Sequence, residues 1–250
     1  MSDYLLSLLL GIIEGLTEFL PISSTAHLRI AQALLNVDLT SGYWKTYTIV
    51  IQLGAILSLP VYFARRIRSF LFTFPSGERG DRTFLTHPLS LTAIAFTLTA
   101  IPAYLLTRVI GKNLESLTIM GLALVIGGVV MWVVDASMAR YEKAGPSASP
   151  SRIRTWHMEE MTIAQAAWIG LCQVLAAVFP GTSRSMATIA GGQLAGMSRA
   201  AALEFSFFLS MPTMAAAASY DLLQLLSGAH DGPVGLTQVD AHGWVVLGIG

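Results

Sequence analysis

The sequence predicts an all-α polytopic membrane protein built as an inverted-topology repeat. Each half is a re-entrant helical hairpin followed by three transmembrane helices, the last of them incomplete in this chain. Three observations predict this: a hydrophobic composition, long apolar runs separated by unequally charged loops, and an internal repeat that aligns without gaps. Of 250 residues, 54% are hydrophobic and 12% charged, where soluble domains carry roughly 25% charged residues; the mean hydropathy is +0.62. Lys plus Arg (15) equal Asp plus Glu (15), so no basic excess points to nucleic acid. The single cysteine, Cys172, excludes an intrachain disulfide framework and a Cys-based zinc site, and reads as a packing residue. Met, Ser and Asp precede the first apolar run without a basic n-region, so that segment is expected to stay in the fold.

The first repeat is expected over residues 1–144, with a re-entrant hairpin at 4–36 and spans near 46–63, 89–107 and 117–134. The hairpin follows from length: Leu5–Leu20 and Ser23–Leu35 are each short of the roughly 20 apolar residues a crossing needs. Pro21 and the hydroxyls after it break the run, which is tolerated at membrane depth where the backbone lines a polar cavity. The next three runs are long enough to span. Residues 145–160 form a linker, beginning GPSASPSR, expected to be cytoplasmic. The second repeat occupies 161–250, with a hairpin at 162–198, a span near 203–226 and the start of a further span at 243.

Loop charge orients the chain. Arg65, Arg66, Arg68, Arg79 and Arg82 follow the first span, and Arg140, Lys143, Arg152 and Arg154 follow the third; the positive-inside rule makes both loops cytoplasmic. The loop with only Arg108 and Lys112, and the Lys- and Arg-free segment from Ala200, then face outward, as does the N-terminus. GIIEGLTEFLPISS from Gly11 aligns on GLCQVLAAVFPGTS from Gly170, pairing Glu14 with Gln173, Pro21 with Pro180 and Ser24 with Ser183. Three spans lie between the hairpins, and an odd number inverts the second unit relative to the first.

Polar residues inside these apolar hairpins carry the chemistry. Glu14 and Glu18 stand at i and i+4, so both carboxylates project from one helix face. A charge at the bilayer centre costs roughly 2.5–3.5 kcal/mol even on the lenient insertion scale, so such a pair needs a proton, a cation or a cavity. Carboxylates near Ser23, Ser24, Thr25 and His27 suit either a hard divalent cation or acid–base work, and spacing leaves both open. In the second hairpin, Gly181, Thr182, Ser183, Arg184, Ser185 and Thr188 surround an expected helix N-terminus. Free backbone N–H groups, hydroxyls and a guanidinium together make an anion site. Arg199 and Glu204 read as a structural ion pair or loop charges. Carboxylates, hydroxyls and an imidazole from one tip, with a cation from the other, fit phosphoryl transfer.

EGLTEFLPISSTAH and PGTSRSMAT resemble the two signature motifs of the undecaprenyl-diphosphatase family, the bacitracin-resistance phosphatases of the bacterial cytoplasmic membrane. QLGAIL at Gln52 and EFSFFLSMP at Glu204 extend the resemblance along the chain. It implies hydrolysis of undecaprenyl diphosphate to undecaprenyl phosphate and inorganic phosphate, recycling the lipid carrier for peptidoglycan and other cell-wall glycans. It also implies a multi-pass inner-membrane protein, often a homodimer, whose site opens to the periplasm. The resemblance puts the acidic pair on Glu14 and Glu18, the hydroxyls on Ser23 and Ser24, and the histidine on His27. The second motif falls on Ser183, Arg184 and Thr188. A divalent cation, Mg2+ or Ca2+, is implied as cofactor, held by Glu14 and Glu18 and shared with the diphosphate. Ser24 is the favoured nucleophile, with His27 as base or leaving-group acid; attack by His27 or by water stays open. Ala26 stands where many relatives have Gly. A polyprenyl-phosphate transporter or flippase, and a lipid phosphatase for a different chain length, are the rival readings.

Overall fold

Apolar runs punctuated by Pro, Gly and hydroxyl residues become α-helices throughout the computed structural model, which describes residues 2–37, 42–78, 80–110, 117–145, 152–179, 181–227 and 239–250. The helices are α1 (Asp3–Thr17), α2 (Ser24–Leu35), α3 (Gly42–Tyr62), α4 (Ala64–Thr73), α5 (Pro88–Ile110), α6 (Leu117–Ala144), α7 (Ile163–Val178), α8 (Arg184–Leu194), α9 (Arg199–Ser227) and α10 (Ala241–Ile249). Among the described residues there is no β-strand, only an isolated bridge between Thr155 and Met197. Arg79, Lys112, Pro180 and most of the GPSASPSR stretch lie outside the described residues.

Among the described residues, three helices are long and apolar enough to cross a membrane: Pro88–Leu106, Leu117–Ala144 and Arg199–Leu223. The predicted span near 46–63 meets the same criterion only together with α4, from which it is bent by 61°. α4 was not expected: its arginines read as loop, yet they alternate with Ile67, Phe70, Leu71 and Phe72 in an amphipathic helix. α1, α2, α7 and α8 are each too short to cross alone.

The second helix–turn–helix unit sits in the main core. α7 packs on α5, and α8 lies among α6, α7 and α9. Gly170 makes the α5–α7 approach close, since a Cβ there would stand 2.5 Å from Ala95 O. At that crossing Thr99 Oγ1 lies 2.9 Å from Ala95 O and 2.8 Å from Gly170 O. Ile169, Ile189, Ala202, Phe205 and Leu209 fill the layer around it. α1 packs on α2, α3 and α10 through a smaller cluster of Leu6, Leu10, Leu28, Tyr47 and Leu247.

Long-range ion pairs close the polar end. Arg199 and Glu204 do not pair with each other: Arg199 pairs with Asp135 of α6, and Arg66 Nε donates to Glu204 at 2.8 Å while also pairing with Glu159. Within the stretch expected to be a linker, Ile153, Thr155 and Met158 are buried, and the Arg154 N–H donates to Gly196 O at 2.8 Å.

Candidate active site

Helix ends bring the polar residues of the two units together. α1 stops at Thr17 and Glu18 caps it, its N–H donating to Glu14 O at 2.9 Å. The chain turns through Pro21 and restarts as α2, capped by Ser23, whose backbone takes the left-handed value φ 64° and whose Oγ accepts the Ala26 N–H. Gly181 (φ 90°) lets the second turn pass α6, where a Cβ would lie 2.7 Å from Met120 Cα. Ser183 then caps α8, accepting the Met186 N–H at 3.3 Å.

Glu18 is the centre of the arrangement. Its Oε2 accepts the Ser24 hydroxyl, and its Oε1 accepts Arg184 Nη2 at 3.1 Å. One buried carboxylate therefore joins a hydroxyl of the first unit to a guanidinium of the second. The turns are also tied directly, since Ser185 Oγ donates to Leu20 O at 2.7 Å and lies 3.0 Å from Ser183 Oγ. A cavity of about 250 Å³ opens onto this centre, bordered by Glu18, Ser23, Ser24, Thr25, Thr182, Ser183 and Arg184.

Other expected residues lie apart from that cavity's lining. Glu14 is buried one turn back along α1, in electrostatic contact with Glu18 and Arg184. Thr188 is buried against Ser206, their oxygens 2.6 Å apart. His27 Nδ1 lies 2.8 Å from Ser23 O, which can only accept, so that nitrogen carries the proton. The His27 ring and Gly181 border a second cavity against Gly127 and Gly128 of α6. In this geometry Ser24 hydrogen-bonds to Glu18, while His27 holds the backbone of the turn.

The structure adds four neutral polar residues to the cavity wall: Gln52, Thr99, Gln173 and Thr213. Gln173 Nε2 donates to Thr213 Oγ1 at 3.0 Å, and its Oε1 is buried without a hydrogen-bond partner among the described residues. The internal alignment had already paired Gln173 with Glu14. Glu14 Oε2 and Arg184 Nη1 are also buried and without a hydrogen-bond partner among the described residues, and such atoms cost stability unless a ligand uses them. Among the described residues no three His, Cys, Asp or Glu side chains form a metal cluster. The free oxygens of Glu14 and Gln173 are hard donors of the kind Mg2+ and Ca2+ take, with the rest of the shell left to substrate or water.

These features define a class: an all-helical membrane protein holding a carboxylate–hydroxyl–guanidinium centre where two helix breaks meet. The chain belongs to the bacitracin resistance protein BacA family, which matches residues 7–249. It is 60% identical over 252 aligned positions to the undecaprenyl-diphosphatase of Koribacter versatilis, covering all of this chain and 84% of that protein. It is 42% identical to undecaprenyl-diphosphatase 2 of Paramagnetospirillum magneticum, over 86% of this chain and 75% of the relative. The undecaprenyl-diphosphatase of Caldanaerobacter subterraneus is 37% identical over 97% of this chain and 79% of its own length.

Proposed function

We propose that this protein is a membrane phosphatase that hydrolyses undecaprenyl diphosphate to undecaprenyl phosphate and inorganic phosphate, returning the lipid carrier to cell-wall glycan synthesis. The observation that carries the reading is Glu18 held between the Ser24 hydroxyl and the Arg184 guanidinium, in a chain whose full length matches a curated diphosphatase. Bacitracin resistance follows from the family.

Ser24 Oγ attacks the terminal phosphorus and its proton passes to Glu18. The bond from that phosphorus to the bridging oxygen breaks, and undecaprenyl phosphate leaves. Water then attacks the phosphoserine and its P–Oγ bond breaks; Ser24 Oγ takes back the proton held by Glu18, the water's proton goes to solvent, and inorganic phosphate leaves. Arg184, with Nη1 unpartnered, binds the phosphoryl oxygens and stabilises their charge in the transition state. Hydroxyls of Ser23, Thr25, Thr182 and Ser183 border the same cavity and orient the diphosphate. Gly181, Ser185 and Thr188 shape the second turn, and His27 fixes the first through Ser23 O. Glu14, Glu18 and Gln173 would hold a divalent cation, which neutralises charge on the diphosphate when bound.

We place the protein in the bacterial inner membrane as an inverted repeat over residues 1–144 and 161–250, with the site facing the periplasm and two copies associating. The arginines of α4, Arg82 after it, Arg140 at the end of α6, and Arg152 and Arg154 after α6 support this orientation. Purified protein in detergent is expected to release phosphate from a long-chain polyprenyl diphosphate with Mg2+ or Ca2+, and to stop on chelation. Folded protein that releases none under either condition would leave transport as the better reading.

A further inference from the structure

A second polar cavity, of about 300 Å³, shares no lining residue with the catalytic one. It lies between α4, the segment leading to α5, and the turn before α7, and is bordered by Arg66, Glu78, Arg82, His87, Glu159 and Glu160. Most of its charge is already used within the protein. Arg66 pairs with Glu159 and Glu204. Glu78 accepts the Ser69 hydroxyl, and Glu160 Oε2 accepts the Trp156 and His157 N–H groups at 2.7 and 3.2 Å.

Apart from Asp81, an exposed carboxylate on the rim 4.0 Å from Arg82, what remains among the described residues is two donors and one buried acceptor. Among the described residues Arg82 reaches Met161 O at a long 3.5 Å and Asp81 at 4.0 Å. His87 is fully buried; its Nδ1 accepts the Leu89 N–H at 3.2 Å, so Nε2 carries the proton, and Nε2 has no hydrogen-bond partner among the described residues. Burial, then the nearby Arg82, hold His87 below the usual imidazole range, which keeps it a neutral donor. The acceptor is Glu159 Oε2, buried and without a hydrogen-bond partner among the described residues. A ligand that satisfies all three carries an anionic oxygen for Arg82 and His87, and an N–H cation for Glu159.

The surroundings point to a lipid as the source of such a ligand. α4 leaves the direction of α3 at 61°, and Leu71, Phe72, Phe74, Phe84 and Leu85 are exposed beside the cavity, with Arg65 and Arg68 exposed on the same helix. An exposed apolar rim with arginines on an amphipathic helix is the composition of an interfacial segment. We propose that this cavity binds the phosphoethanolamine head group of a membrane phospholipid, with its phosphate on Arg82 and His87 and its ammonium on Glu159. Choline lipids lack the N–H donors that Glu159 needs, and glycerol lipids lack the cation.

The test is native mass spectrometry of the delipidated full-length protein in detergent, titrated separately with phosphatidylethanolamine, phosphatidylcholine, phosphatidylglycerol and free phosphoethanolamine. Phosphatidylethanolamine is expected to bind at one site about tenfold tighter than the other three, the worth of a charge-assisted hydrogen bond. Arg82→Gln should weaken it about tenfold or more, and Arg82→Lys less, with both variants melting like the parent and hydrolysing substrate at its rate. Glu159→Gln should erode the preference over phosphatidylglycerol. Equal binding of all three lipids, indifference to Arg82→Gln in a folded variant, or equally tight binding of free phosphoethanolamine would each overturn the lipid site.

Discussion

The two helix–turn–helix units share a sequence frame but differ in burial and in the chemistry each position carries. α8 is buried continuously from Ser185 to Gln193, enclosed by α6, α7 and α9. α2 packs on α1 and α6 and exposes Ile30 and Leu34. In the aligned frame Glu18 stands opposite Ala177, Thr25 opposite Arg184, and His27 opposite Met186. The charged positions and the histidine of each unit stand opposite uncharged, non-titrating residues in the other, whereas the hydroxyls of Ser24 and Ser183 coincide. The buried unit therefore supplies a cation fixed by its surroundings, and the more peripheral unit supplies the carboxylates and the hydroxyl. Ala177 borders the catalytic cavity, in the frame position where the first unit has Glu18, which leaves space there instead of a second carboxylate.

The largest break of this comparison is Glu18→Gln, which removes the one group both units share. Arg184 would be left buried with a neutral partner, and breaking a buried pair costs about 3–5 kcal/mol. Hydrolysis should fall by about 10³-fold or more, since the base for Ser24 and the anchor of Arg184 go together. Phosphate release and thermal unfolding of the purified variant check both effects. Retention of more than about a tenth of the activity would be irreconcilable with Glu18 as the shared centre.

His27 gives the next effect, because it holds the turn on which Ser24 sits. His27→Ala removes the side-chain donor to Ser23 O, which keeps only the backbone N–H of residue 27, and is expected to cost about 10²-fold in kcat through misplacement of Ser24. His27→Asn puts an amide N–H near the position of Nδ1 and should restore most of that loss. A proton-carrying role would instead leave the Asn variant as slow as the Ala variant, so the pair decides between the two.

Gln173→Glu sharpens the comparison by giving the second unit the residue that the first carries at the same position. A further carboxylate in the cavity that Glu18 borders raises the ligand charge on which divalent-cation affinity depends. The concentration of Mg2+ or Ca2+ needed for half-maximal hydrolysis should fall by about threefold or more. No change in that concentration would remove Gln173 from the cation set and leave it as a support for Thr213.

The sequence made the apolar helices and the site's charged members legible for one reason: charge inside an apolar run is costly, so Glu18 and Arg184 stand out. Neutral polar residues do not stand out. Thr99 and Thr213 each donate to a carbonyl one turn back, Ala95 O and Leu209 O, a common way to satisfy a hydroxyl in a helix. Nothing in their pattern separates cavity wall from ordinary packing. The orientation of His27 was hidden for a different reason, because its hydrogen bond to Ser23 O depends on the left-handed backbone at Ser23. α4 was hidden because its arginines dominate its composition, although Arg66 finds partners in Glu159 and Glu204, both in the other half of the chain.

The smallest effect tests how the buried unit is held. Thr162 caps α7, its Oγ1 accepting the Gln165 N–H at 3.2 Å, and Gln165 answers by accepting the Thr162 N–H at 3.0 Å. Gln165 Nε2 also donates to Ala195 O at 3.1 Å, so this box links the entry of α7 to the exit of α8. Thr162→Ala is expected to lower stability by about 1 kcal/mol, the usual worth of a cap, without changing kcat, because core packing still fixes α8 and Arg184. Thermal unfolding and phosphate release on the same preparation separate the two quantities. A fall in kcat matching the fall in stability would mean that the cap, and not the surrounding helices, sets the position of the cation.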